Sequence, residues 1–422
     1  MKNTIYTLLT LLLLFLNTQV VLGQIEKEIE PPYNIKTISF VQNGQNQIPI
    51  FKLGDSFQLE FDDLFGDESN YYFTITHCDY DWKPSQLAIN EYILGLDNQR
   101  IIDYENSFNT LQMYSHYRLA FPNQFTKRFK VSGNYMLKIL NDSREVVFSR
   151  KFILYEDIVG VPLQIKNPRD VNVLKEKHNL EFSVIPPTTM ILQDPIKNIK
   201  IMLFQNGIFH TTIQNIKPMF TIANELIYKY DKETQFWAGN EFLFFDNKDI
   251  RNAINNVARI SSKGGVYNTY LMRNIARKNN SYTYAPDVNG NFVVRNVFAQ
   301  HSDVEADYSW VFFELEAYEY AGKEGIYIVG MFNNYALSDD YKMEWNEKRG
   351  VYEKAIMIKQ GFTNYGFMLA DEKGKVNPQD AIDGNFFQTE NNYEVLVYYR
   401  GNNDRYDRVI GKGMASSIDI IN

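Results

Sequence analysis

The sequence predicts an all-β protein built as three consecutive β-sandwich domains behind a signal peptide. Three observations carry that expectation. Short period-two runs such as Phe57-Gln58-Leu59-Glu60-Phe61 recur along the chain between Gly, Asn, Asp and Pro turns. Aromatic residues make up 15% of the chain, including 29 Tyr and 30 Phe, and such residues favour strands while burying large areas. The chain has 422 residues, too many for a single core.

The first element is the leader, residues 1–23. Lys2 gives a short positive region, Leu8 to Leu16 an apolar run too short for a comfortable membrane span, and Gly23 the small residue at a cleavage point. The mature chain is then expected to start at Gln24, and its formal charge goes from −8 to −9 as Lys2 is lost. That acidity argues against nucleic acid, which needs a basic stripe. The lone cysteine, Cys78, permits no internal disulfide, so stability has to come from packed cores.

The first sandwich is expected over 24–156. Its strands are Phe57 to Phe61, Tyr71 to Thr76, Gly133 to Leu140 and Glu145 to Tyr155, with a less regular stretch from Ser85 to Leu111. Val159-Gly160-Val161-Pro162 reads as the joint to a second sandwich over 157–302. There Ile199 to Gln205 and Ile208 to Ile213 flank Asn206-Gly207, a strong hairpin signal because both turn positions take positive φ. Asn289-Gly290 before Phe292-Val293-Val294 reads the same way. Ile250, Ala253, Ile254 and Val257 have helical spacing, but Asn252, Asn255 and Asn256 are poor helix formers, leaving helix and loop both open. A third sandwich is expected over 303–410, from Trp310 to Tyr318, Ile326 to Val329, Val351 to Ile358, Tyr365 to Leu369 and Tyr393 to Tyr399. Residues 411–422 read as a flexible tail.

Thr76-His77-Cys78-Asp79-Tyr80-Asp81-Trp82-Lys83-Pro84-Ser85 is the stretch that most resembles chemistry. On a strand, His77 and Cys78 point to opposite faces, so they cannot form a nucleophilic dyad. Cys78 falls with Tyr80 and Trp82 on one side. No paired Cys/His spacing suits zinc, and Asp79 with Asp81, about 7 Å apart, falls short of a calcium shell. Asp287 to Asn291 lacks the remaining ligands of an EF-hand loop. No phosphate loop or nucleophile elbow is present in the sequence. The reading is a protein without catalytic residues, metal or other cofactor. Trp82, Trp237, Trp310 and Trp345 could stack on sugars or anchor a partner, though strand packing accounts for each.

The same stretch, with Glu91 to Gly95, Ile102 to Thr110, His116-Tyr117 and Phe121-Pro122-Asn123, resembles the type IX secretion system plug protein family of exported Bacteroidota proteins. So do Tyr327 to Tyr335, Lys359 to Phe362, Ile382 to Phe386 and Val397 to Arg400. The resemblance implies a non-enzymatic periplasmic protein at the inner face of the outer membrane. It would bind the periplasmic opening of the large outer-membrane β-barrel translocon and close the pore when no cargo-receiving partner is engaged. Asp79, Tyr80, Asp81, Trp82, Phe332, Asn333, Asn334 and Tyr335 are the residues expected to meet that partner. Gly330 to Tyr335 with Gly361 to Tyr365 is also similar to starch- and glycogen-binding Ig-like modules, which implies Ig-like, E-set-like sandwiches. It leaves a periplasmic carbohydrate-binding protein as the alternative, with Tyr335 and Tyr365 in the aromatic places.

Overall fold

The computed structural model describes residues 24–320 and 325–420, so the expected leader lies outside the described residues. The regular structure among the described residues is nearly all β, arranged as three sandwiches, with helices of only three or four residues. The first pairs a sheet in the order 45–47, 35–42, 57–63, 115–121, 103–106 with a second in the order 50–52, 146–155, 133–140, 72–78, 99–100. Between them lies an aromatic core in which Phe51 stacks on Phe57 at 4.3 Å, Phe61 on Tyr117 at 5.0 Å and Tyr135 on Phe152 at 5.0 Å. The expected alternation holds here: Phe57, Leu59 and Phe61 all point into this core.

The second sandwich departs from the expected boundaries. One sheet runs 163–166, 177–184, 225–228, 220–222, and the other 213–214, 199–205, 392–399, 408–416. The last two strands therefore close the second sandwich, with Ile199 opposite Tyr399 and Gln205 opposite Tyr393. Tyr393 to Tyr399 is not part of the third sandwich, and 411–416 is paired strand rather than tail, Leu396 lying opposite Lys412 and Val395 opposite Gly413. Ile199–Gln205 and 392–399 both carry apolar residues on both faces, so side by side they extend one sheet with one face on the second core and the other on the first sandwich.

The third sandwich is thus an insertion in the second. Its sheets are 257–263, 266–271, 308–316, 351–359, 344–346 and 243–246, 361–370, 292–294, with 325–329 joined to 361–370. It starts at Leu243 rather than at 303, and one core unites Phe245, Val257 and Leu271 with Val311, Tyr365 and Ile382. Residues 250–256 form turns and bends, not a helix, with Asn255 and Asn256 at φ 43° and 69°, and Val257 opens a strand. Both Asn-Gly pairs take positive φ as expected. Yet Phe292–Val294 pairs with Gly361–Thr363, not with the strand before the turn.

Candidate functional site

The features that distinguish this molecule lie where the three sandwiches meet. Between the first and second, strand faces that would otherwise be solvated form an apolar seam. Ile50, Cys78, Tyr80, Trp82, Met136 and Ile153 pack against Met202, Phe204, Leu396, Tyr398 and Val409. Alternation explains it: Ile201 and Leu203 face the second core while Met202 and Phe204 face the seam, and Val395 and Val397 alternate likewise with Leu396 and Tyr398. Polar groups ring it. The Tyr398 hydroxyl donates to Asn134 Oδ1 at 2.7 Å, and the Tyr80 hydroxyl to the Ile201 carbonyl at 2.7 Å. Asp79 accepts from the Asp407 amide and from Arg400, and Asp407 from the Tyr80 amide and Lys200.

The opening strand of that seam ends at Cys78. Cys78 is fully buried in the seam, and burial pushes its thiol pKa up to about 12, so no thiolate forms near neutral pH. His77 points the other way, between Ser85 Oγ at 2.7 Å and the Ser132 carbonyl at 3.2 Å, and burial lowers its pKa to about 4. Gly133 allows this: a Cβ there would sit 2.3 Å from His77 Nε2.

Between the first and third sandwiches a small apolar cluster, Leu64 and Tyr114 against Tyr308 and Met357, encloses a buried ion pair. Asp62 is completely buried and accepts from Lys359 Nζ at 2.6 Å, His116 Nδ1 at 2.6 Å and the Tyr308 hydroxyl at 2.5 Å. Burial alone would raise the Asp62 pKa, but Lys359 and His116 outweigh it and hold it below the usual carboxylate range. Lys359 also donates to the Asp303 carbonyl and lies 4.2 Å over the Tyr114 ring. Nearby, Asp307 accepts from the Leu111 and Gln112 amides, and Thr37, at φ 52°, meets the Tyr308 hydroxyl. Positive φ is costly for a β-branched residue, and this one is held where two sandwiches meet.

The second and third meet through Ile208 against Tyr327, Val329 and Tyr335. The segment 24–31 then crosses the junction. The Glu26 amide donates to the Trp82 carbonyl, Glu28 accepts from the Lys151 amide and from Asn334, and Ile29 exchanges hydrogen bonds with Ser149.

Seven of the eight residues expected to meet a partner make contacts inside the chain, and the burial of four of them runs against a role on an outer surface. Tyr80, Trp82, Asn333 and Tyr335 are buried, Asp79 holds Arg400, and Asn334 holds Glu28. Phe332 packs on the third core, and Asp81 alone stands exposed, paired with Lys83. Tyr335 and Tyr365 are 6% and 1% exposed, so neither offers a ring face to a sugar. Sequence reasoning missed Asp62, His116, Tyr308 and Lys359. Asp62 follows Gln58 and Glu60 on the polar face of its strand, so the local pattern carried no signal that it is buried. Among the described residues no cluster of three or more His, Cys, Asp or Glu could hold a metal ion, and no helix is long and apolar enough to cross a membrane.

Comparison with known proteins places this architecture. A hypothetical protein from Parabacteroides merdae ATCC 43184, solved by crystallography, superimposes with a TM-score of 0.87 at 29% identity, over 93% of this chain and 100% of that one. A collagen adhesin from S. aureus reaches a TM-score of only 0.10 at 7% identity and carries no fold argument. No curated protein matches the chain. Residues 35–156, which span the first sandwich and supply one side of both the apolar and the ionic seam, match the model described as "Type 9 secretion system plug protein 1st domain". By that match, residues 35–156 are similar to the first domain of the type 9 secretion system plug proteins.

Proposed function

We propose that this protein is a non-enzymatic periplasmic plug. It binds the periplasmic opening of the outer-membrane type IX translocon and closes the pore when no cargo-receiving partner is engaged. The observation that carries this reading is the interlocking of three sandwiches by an inserted domain, an apolar seam and a buried ionic seam. A stopper has to resist deformation, and a body whose every domain pair is packed has no free hinge. The family supports a role as a secretion component rather than a catalyst. The docking face we assign is an exposed apolar patch on two adjoining loops, Phe65 on one and Phe108, Leu111 and Met113 on the other, 47–69% exposed.

Tagging the protein and solubilising outer membranes gently is expected to recover a very large barrel protein with it. Phe65→Asp with Met113→Asp is expected to lose that partner while remaining folded, and cells carrying it are expected to admit a large hydrophilic antibiotic. Failure to recover any large barrel across several detergents would defeat the plug reading.

A further inference from the structure

The outer face of the third sandwich's larger sheet carries a row of planar groups that stops one place short. Val311, Phe313 and Leu315 point into the third core, so Trp310, Phe312 and Glu314 point out. Across the neighbouring strands Arg259 lies opposite Tyr270, Tyr270 opposite Phe312, and Phe312 opposite Ala355. The Arg259 guanidinium sits 4.0 Å over the Tyr270 ring, and that ring stacks on Phe312 at 4.5 Å and 10°. Ala355, the next member of the row, is too small to cover the second face of Phe312. The preceding row, Trp310 beside Met357, packs on Leu64 and Tyr114 of the first sandwich. Beyond it the face opens into a cleft of about 730 Å³, lined by Tyr270, Phe312, Ala355 and the hairpin at 344–349.

The next row along the same strands, about 7 Å away, is polar and fixed. Glu314 lies opposite Glu353, and Glu353 opposite Glu344. Arg349 donates to Glu314 at 2.7 Å and also to Glu353. Arg273 holds the other side of Glu314 at 3.2 Å, and Asn346 donates to Glu353 at 2.9 Å. Glu344 is exposed, and its carboxylate has no ion pair or hydrogen bond among the described residues. Glu314, Glu344, Glu347 and Glu353 at the cleft are matched in number by Lys348, Arg349, Lys354 and Arg273. Charge therefore favours neither an anion nor a cation. The occupant that fits is neutral, with an apolar face for Phe312 and hydroxyls around its edge. A pyranose ring has that form, C–H bonds on its faces and hydroxyls at its rim. An aromatic side chain would use the Phe312 face and leave the polar row unmet.

We propose that this cleft binds one sugar ring of a neutral glycan. The ring lies over Ala355 with its C–H face on Phe312, in the place the row of planar groups leaves empty. Its hydroxyls donate to the Glu353 and Glu344 carboxylates and accept from Arg349, whose five donors exceed the two bonds it makes to the glutamates. Tyr270 and Arg259, stacked behind Phe312, keep that ring upright before any ligand arrives. A few placed polar groups beside an apolar wall, in a cleft of this volume, are the usual make-up of a small-ligand site. The site is separate from Tyr365, which lies in the core on the other side of this sheet. It does not depend on the plug reading.

The test is saturation-transfer NMR of residues 24–422 with maltotetraose, cellotetraose and chitotetraose. N-acetyl-tyrosine amide serves as a stand-in for an aromatic side chain of a partner protein. At least one tetraose is expected to bind, with the strongest transfer to its ring C–H protons. Ala355→Phe would complete the row of rings and fill the site, and should weaken that binding by about 10-fold or more. Phe312→Val removes the stacking face and should weaken it on the same scale, while Glu344→Gln should weaken it less. Ala355 and Glu344 lie on the outer face of the sheet, and circular dichroism verifies the fold of each variant. No transfer to any of the three tetraoses would overturn the proposal, as would wild-type affinity in Ala355→Phe. Tyrosine amide binding more tightly than every tetraose would also overturn it, because the polar row would then select nothing.

Discussion

The first sandwich meets its two neighbours by different means. Toward the second it presents Met136, Tyr80 and Trp82 to Met202, Phe204 and Leu396, a junction held by shape and burial. Toward the third, beside a small apolar cluster of Leu64 and Tyr114 on Tyr308 and Met357, it presents one buried carboxylate, Asp62, to a buried lysine and a tyrosine. An apolar seam gains from every buried carbon and tolerates replacement by another hydrocarbon of similar volume. A buried ion pair gains little over hydrocarbon but loses heavily when one member is removed, because the other is left charged and dry. The two seams should therefore fail differently when perturbed.

The largest expected effect is Lys359→Met. It leaves Asp62 without its ammonium, and urea unfolding should show a loss of about 3–5 kcal/mol. Adding Asp62→Asn to that variant should recover at least half of the loss, since both charges are then gone. If the double variant is no better than the single one, the ionic reading of this seam is wrong.

A pH dependence of about 3 kcal/mol is expected from His77, which borders the apolar seam. Its folded pKa, about 4, lies below the ordinary value near 6.5, so between those values the unfolded chain binds the extra proton. Its contribution is full above pH 6.5 and is lost as pH falls toward 4. Compared with His77→Gln, the wild type should lose that much more stability across this window. Equal slopes would contradict the buried, neutral imidazole.

Smaller effects belong to the apolar seam itself. Met202→Leu should cost less than about 1.5 kcal/mol, because volume is conserved. Cys78→Ala should cost about 1 kcal/mol, the scale of one small buried group. In the native protein the Cys78 thiol should resist maleimide until the chain is unfolded, and rapid labelling would place it outside the seam.

Much of the fold was legible in strand periodicity, and the reason for each miss is physical. Gly133 to Leu140 and Val351 to Ile358 appear as strands almost at their expected ends, because period-two alternation is a local property. Domain membership is not local. Tyr393 to Tyr399 reads as a strand from its residues, but nothing within it states that its neighbour is Ile199–Gln205, almost two hundred residues away. A hint was present in both segments: neither alternates, and an unbroken apolar strand has to be covered on both faces. Strand geometry separated His77 from Cys78 correctly and put Cys78, Tyr80 and Trp82 on one side. It could not tell a seam within the chain from a surface for a partner, because both demand exposed-looking aromatics on a sandwich's outer face.

The central claim is that three sandwiches behave as one interlocked body, and scanning calorimetry of residues 24–422 tests it most directly. The account predicts a single transition whose calorimetric and van't Hoff enthalpies agree. Two or three separated transitions, or a van't Hoff enthalpy well above or below the calorimetric one, would contradict it.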